Sequence, residues 1–305
     1  MNTLFSALGA MMLLTICGSS ALAQNQQTFV SGAGLDTNLC TLTSPCRTFT
    51  RALSQTNAAG VVTVLDSAGY GAFTINKAIS IVCAPGAYAG ISVFSGNGID
   101  IAAGASDTVI LRGLTVNNQG SSGNGISYQT AGLVHVESCV VNGFSSADGV
   151  LANTGNSCVL EIKDSIFRGN EGGIVVSGPI AATVDHVRAE ANFTGLEASS
   201  GAEVTVRNSL FSLNENGLSA FSNSNLAAEL NVENCVVANN SSDGIEAVCD
   251  STGVSTARVS NSTVVNNGVG LFNAGSPAVL LSRGNNTIEG NTTNTSGAIG
   301  AYTAN

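Results

Sequence analysis

The sequence predicts an all-β solenoid in which short strands coil and stack in parallel. Three observations carry this. Apolar anchors recur at Leu111, Val136, Ile162, Val184, Val206, Val232, Val259 and Leu281, with gaps of 25, 26, 22, 22, 26, 27 and 22 residues. A glycine followed by an aliphatic recurs in a second phase, from Gly125-Ile126 and Gly149-Val150 through Gly173-Ile174, Gly195-Leu196, Gly217-Leu218 and Gly244-Ile245 to Gly270-Leu271. Around each anchor the apolar residues alternate, which marks strands with one buried face, and helical periodicity is absent.

Composition narrows the classes. Charged residues are 10% of the chain and the net charge is −10. A helical bundle needs far more charge, and an acidic surface repels nucleic acid. The 44% hydrophobic content excludes disorder.

From the N-terminus, residues 1–23 are uncharged, Leu4 to Ile16 is mostly apolar, and Ala21-Leu22-Ala23 precedes Gln24. This reads as a signal peptide, too short to span a bilayer. A lipid on Cys17 is the competing reading, and Ile16 fits it poorly. A secreted or periplasmic mature chain with no membrane span is expected. It keeps cysteines 40, 46, 83, 139, 158, 235 and 249, an odd number, with Cys40 and Cys46 paired across the Thr41–Pro45 turn. No zinc spacing is present.

Residues 24–60 are expected to form an N-terminal cap, with a short helix over Arg51–Ala59. Val61–Leu65 is the first strand, Asp66–Phe73 a tight turn, and 74–110 irregular early coils. The coils fill 61–281. Residues 282–305 hold the last coil and the far cap, the polar stretch Asn285–Ser296.

Within the coils, residues of equal phase become neighbours about 4.8 Å apart. Eight residues after the anchor, Asn170, Asn192, Asn214, Asn240 and Asn267 recur, suited to left-handed turns and to amide stacking. The pattern resembles the right-handed parallel β-helix of the pectin-lyase-like superfamily, over roughly residues 61–305, and the short helix resembles its N-terminal cap. Left-handed hexapeptide repeats and leucine-rich signatures are missing.

One column after the anchor reads Arg112, Glu137, Lys163, Asp185, Arg207, Glu233, alternating in sign. The column before it reads His135, Glu161, Thr183, Thr205, Asn231, Arg258. The bland interpretation is a surface charge ladder that sets register. The functional one is a polar stripe offered to an extended polysaccharide or to another surface protein, with His135, Thr183, Thr205, Asn231 and Glu233 as binding groups. The resemblance implies a further alternative, a polysaccharide lyase with Glu137, Glu161 and Asp185 as carboxylates, aided by Ca²⁺, and Lys163 or Arg207 as base. A glycoside hydrolase would instead pair two carboxylates. The Asp-Asp, Gly-His-Gly and Arg-Ile-Lys motifs of the galacturonase branch are absent. With no Trp, the sugar-stacking candidates are Tyr70, Tyr88 and Tyr128.

Three further expectations complete the map. His186, one coil above Asp164, is placed to hydrogen-bond it. The column Leu114, Cys139, Ser165, Val187, Ser209, Cys235, Ser262 points inward, which leaves Cys139 and Cys235 buried, unpaired and inert. The neighbouring column Thr115, Val140, Ile166, Arg188, Leu210, Val236, Thr263 either forms an exposed contact stripe, as on an adhesin-like rod, or turns partly into the core.

Overall fold

The computed structural model describes residues 25–250 and 252–303. The proposed signal peptide and Cys17 lie outside the described residues. Three parallel sheets run the length of the molecule, one of twelve strands and two of ten. The twelve-stranded anchor sheet extends from Asn25–Val30 to Ile299–Ala301. The short-strand sheet runs from Ala68–Gly71 to Thr287–Glu289, and the glycine sheet from Phe73–Ile75 to Thr293–Ser296.

One coil shows how sequence becomes shape. Ile180–Asp185 lies in the anchor sheet, Arg188–Glu190 in the short-strand sheet and Thr194–Ala198 in the glycine sheet. His186 (φ 53°) makes the first corner and Ala191 (φ 55°) the second. Left-handed residues recur at both corners, as Ser138, Asp164, Asn208, Asn234 and Asn261 at the first and Gly169, Leu213, Asn239 and Asn266 at the second. The recurrent asparagines therefore follow the left-handed residue; they do not occupy it.

Their role is hydrogen bonding across coils. Asn192 Nδ2 donates to Asn214 Oδ1 (3.0 Å), and Asn214 Nδ2 to Asn240 Oδ1 (3.1 Å). Each Oδ1 also accepts the backbone N–H of the asparagine below, and each Nδ2 donates to a backbone carbonyl. The buried ladder continues to Asn291. The inward serines do the same at the first corner: the N–H groups of Cys139, Val187 and Cys235 donate to Ser165, Ser209 and Ser262. This is why that column alternates small polar with apolar. Cys139 and Cys235 are buried in it as free thiols, and burial pushes both up to about 11.

The core is a stack of inward side chains. Phe167, Ala189 and Phe211 are successive neighbours, so a small residue accommodates two large ones. The repeat glycines answer a steric demand. A Cβ on Gly173, Gly195, Gly217 or Gly244 would lie 2.5–2.6 Å from the carbonyl oxygen of the next glycine in the column.

Several expectations need correction. The helix spans Phe49–Gln55, not 51–59. Thr48 caps it by accepting from Arg51 N–H, and the Thr56 hydroxyl donates to Ala52 O where the chain turns extended. Phe49, Ala52 and Leu53 form its only buried face, so Ala58-Ala59-Gly60 belongs to the strand Thr56–Val64. Residues 66–73 are not one turn, because Ala68–Gly71 is a strand. Residues 74–110 form regular coils. At the far end Ser282 faces Val259 and Leu280 faces Ala257, so Leu281 is opposite Arg258 and is not an anchor. The polar stretch 285–296 continues the coils, with strands Thr287–Glu289 and Thr293–Ser296. At the entrance, Asn25–Val30 adds a strand and Cys40–Cys46 form a disulfide (Cα–Cα 4.6 Å).

Candidate functional site

Both polar columns lie side by side on the outer face of the anchor sheet. Glu137, Lys163, Asp185, Arg207 and Glu233 are successive register partners, as are His135, Glu161, Thr183, Thr205, Asn231 and Arg258. The side chains divide into separate clusters. Arg112 Nη2 bonds Glu137 Oε2 at 2.6 Å, and His135 Nδ1 meets Glu161 Oε2 at 2.9 Å. Lys163 turns to Asp164 (3.8 Å) and not to Glu137 or Asp185. Thr183 and Thr205 stand exposed and adjacent. Arg258 holds Glu229 (2.8 Å) and Asn231 (3.3 Å).

Asp185 is the hub. Its carboxylate receives Arg207 (3.1 Å), His186 Nδ1 (2.8 Å) and Asn208 Nδ2 (2.8 Å). Burial opposes ionisation, but the Asn208 hydrogen bond and the Arg207 and His186 charges outweigh it, so the carboxyl sits below its ordinary value. His186 thus pairs with its chain neighbour, not with Asp164, because its left-handed backbone turns the ring toward Asp185. Glu233 faces Arg207 in register, while the guanidinium turns to Asp185.

A groove borders the stripe. Two adjoining cavities of about 530 Å³ each share Pro179, Gly201 and Glu203. The connection from Ser177 to Ile180 is short, and Val159 and Leu226 on either side supply apolar walls. Of the tyrosines proposed for stacking, Tyr70 and Tyr128 are 1% exposed and unavailable; Tyr88 is half exposed. The doubtful apolar column points outward: Val140, Ile166 and Leu210 are part-buried and Val236 is 43% exposed, with Arg188 bonded to Glu190 interrupting them.

Calcium does not fit the carboxylates named for it. Glu137, Glu161 and Asp185 each face a different basic partner. Among the described residues no three His, Cys, Asp or Glu converge on a common point.

A second acidic region, on the glycine sheet, went unread in the sequence. Glu197, Ser219 and Glu246 are register partners two residues beyond the repeat glycines. That column was visible, but its burial depends on flanking turns such as Phe193, which have no fixed phase. Burial is the main cause that pushes Glu246 up to about 7 and Asp148 up to about 6. In the unfolded chain these groups ionise near 4.5 and 3.8. The folded state therefore binds more protons in this window, and stability falls as pH rises from about 4.5 to 7. The urea midpoint is expected to be lower at pH 7.5 than at pH 5, with a smaller drop in Glu246→Gln; a midpoint rising with pH would contradict this. The lowered carboxyls of Asp36, Asp66 and Asp185 act below that window.

The geometry defines a solenoid with a decorated outer face, and comparison agrees. The family model for the right handed beta helix region matches residues 97–293, and the chain belongs to that family. Among solved structures it is similar to pectate lyase Pel9A, with a TM-score of 0.61 and 16% identity, covering 91% of this chain and 80% of that one. It is also similar to a rhamnogalacturonan lyase, with a TM-score of 0.50 and 14% identity, covering 84% and 82%. At these identities the likeness is one of fold. No curated protein matches. Among the described residues no helix is long and apolar enough to cross a membrane.

Proposed function

We propose that this protein is secreted or periplasmic and binds an extended polysaccharide along the outer face of its anchor sheet. The observation that carries this reading is the pair of polar columns in register beside a groove. Together they present hydrogen-bonding groups at a repeat of about 4.8 Å along the molecular axis. Thr183, Thr205, Asn231 and Glu233 would meet sugar hydroxyls, with His135 and Glu161 at one end. The disulfide fits an oxidising compartment, and the fold likeness to two polysaccharide lyases suits a polysaccharide ligand.

Binding is favoured over cleavage at this stripe because the cations assigned as bases are engaged. Lys163 is beside Asp164 and Arg207 is bound to Asp185. Calorimetry against soluble xylan, mannan and polygalacturonate is expected to detect binding of at least one polymer. Replacing Thr183, Thr205 and Asn231 together by alanine is expected to weaken it about tenfold or more, since each lost hydrogen bond contributes about 0.5–1.5 kcal/mol. Unchanged affinity in that variant would remove the stripe as the site. Ultraviolet-absorbing unsaturated products from polygalacturonate, lost in Glu161→Ala/Lys163→Ala, would replace binding with the lyase reading.

A further inference from the structure

The groove beside the stripe has a bare floor, apolar walls and an unbalanced rim. Its floor is the backbone of two left-handed glycines in successive coils, Gly178 (φ 87°) and Gly201 (φ 94°). A Cβ on Gly178 would strike Thr154 O, so no side chain can grow there. The floor amides are engaged: Gly178 N–H donates to Ser200 O and Gly201 N–H to Ala227 O. Val159 (38% exposed) and Leu226 (50% exposed) wall the groove, with Pro179 shared by both cavities. The rim breaks the charge pattern of its sheet. The column from Arg112 to Glu233 alternates in sign, but Glu203 and Glu229 are register neighbours of like charge. Like charges directly opposite each other destabilise a sheet. Arg258 pairs with Glu229 at 2.8 Å, whereas Glu203 is exposed and forms no ion pair among the described residues. Both glutamates line the groove, and no cationic side chain does among the described residues.

We propose that the groove takes a partly N-acetylated polymer of amino sugars, with an acetamido methyl seated over Gly178 and Gly201 and a neighbouring ammonium on Glu203 and Glu229. This rests on the polysaccharide-binding reading above and names the class of polymer. The methyl displaces water from a floor whose N–H groups are already satisfied, between the Val159 and Leu226 side chains. The ammonium supplies the counter-charge that Glu203 lacks, through a charge-assisted hydrogen bond. Thr183 and Thr205 lie two residues beyond Ala181 and Glu203 on the same outward face. That is about 6–7 Å along the strand, so the ring hydroxyls of a sugar held in the groove reach the stripe. The net charge of −10 draws a polycation to the surface and repels a uronate polymer.

Calorimetry on the purified protein tests this at about pH 5.5, between the ordinary ranges of carboxyl and amine ionisation, and in about 0.15 M salt, which screens long-range attraction. The probe is a soluble β-1,4-linked glucosamine oligomer with part of its amines acetylated. It is expected to bind, and Glu203→Gln is expected to weaken binding about tenfold or more. Leu226→Ala is expected to weaken it about threefold. Acetylating every amine of the oligomer should weaken binding to the native protein about tenfold, yet cost the Glu203→Gln protein nothing further, because the two changes remove one contact. Glu215→Gln removes an exposed carboxylate away from the groove and is expected to change nothing. No binding of the oligomer, undiminished binding in Glu203→Gln, or equal losses in Glu203→Gln and Glu215→Gln would overturn the proposal. Xylan or mannan bound through the threonines without binding of the oligomer would overturn it too, and leave the stripe standing. Oligomer binding lost in Glu203→Gln but kept in the Thr183, Thr205 and Asn231 alanine variant would uphold the groove and remove the stripe.

Discussion

Asn214→Ala is expected to destabilise the protein by about 3–5 kcal/mol. The amide makes four bonds. Its Oδ1 accepts the backbone N–H and the Nδ2 of Asn192, and its Nδ2 donates to Ala189 O and Asn240 Oδ1. Truncation leaves these partners buried with no water to replace it. An orphaned buried polar group costs about 1–3 kcal/mol, and more than one is created. The loss is read as a shift of the denaturant midpoint. Asn170→Ala, whose buried amide accepts the Phe144 N–H and donates to Val141 O and Asn192 Oδ1, should lose stability in the same way. Serines at exposed corners should not. A loss under 1 kcal/mol would mean that the ladder follows the fold without holding it.

Gly217→Ala is the second large effect. The added Cβ would lie 2.5 Å from Gly244 O and 2.7 Å from Val237 Cγ1. The first contact is with backbone, which cannot rotate away, so the coil must separate from its neighbour. Overpacking of this kind costs about 1–3 kcal/mol and occasionally more. The unfolded chain loses conformational entropy when the glycine is replaced, which offsets only about 0.4–1 kcal/mol of this cost. Gly71→Ala is the control, because its Cβ would meet nothing within 4 Å. Equal stability of the two variants would refute the steric account.

The anchor columns, their inward and outward faces and the asparagine phase were legible because each is a repeat, and a repeat is a set of neighbours. Register at Val279-Leu280-Leu281 was not. Three apolar residues in a row satisfy alternation in either phase, and a slip of one moves every side chain to the other face. The strand over Asn25–Val30 has no repeat to betray it. Its partner is Thr56–Val64, far along the chain, and its outer residues are Asn and Gln. The stripe's composition was readable, but not its division into pairs. Which carboxylate a guanidinium chooses depends on rotamers and corner geometry, as the turn at His186 and the amide of Asn208 show around Asp185. The Glu197–Glu246 column was as periodic as the others; only its enclosure by Phe193 required three dimensions.

The seams between coils are the same above and below. Asn170, Asn192 and Asn214 succeed one another at 22 residues, each accepting from the one before and donating to the one after. Excising residues 184–205 as a block would leave Ile162 stacked on Val206 and Asn170 bonded to Asn214, with the old joint remade. The molecule's length is thus quantised: it can shrink or grow by whole turns, like links in a chain, and the span of its outer face changes in equal steps with it.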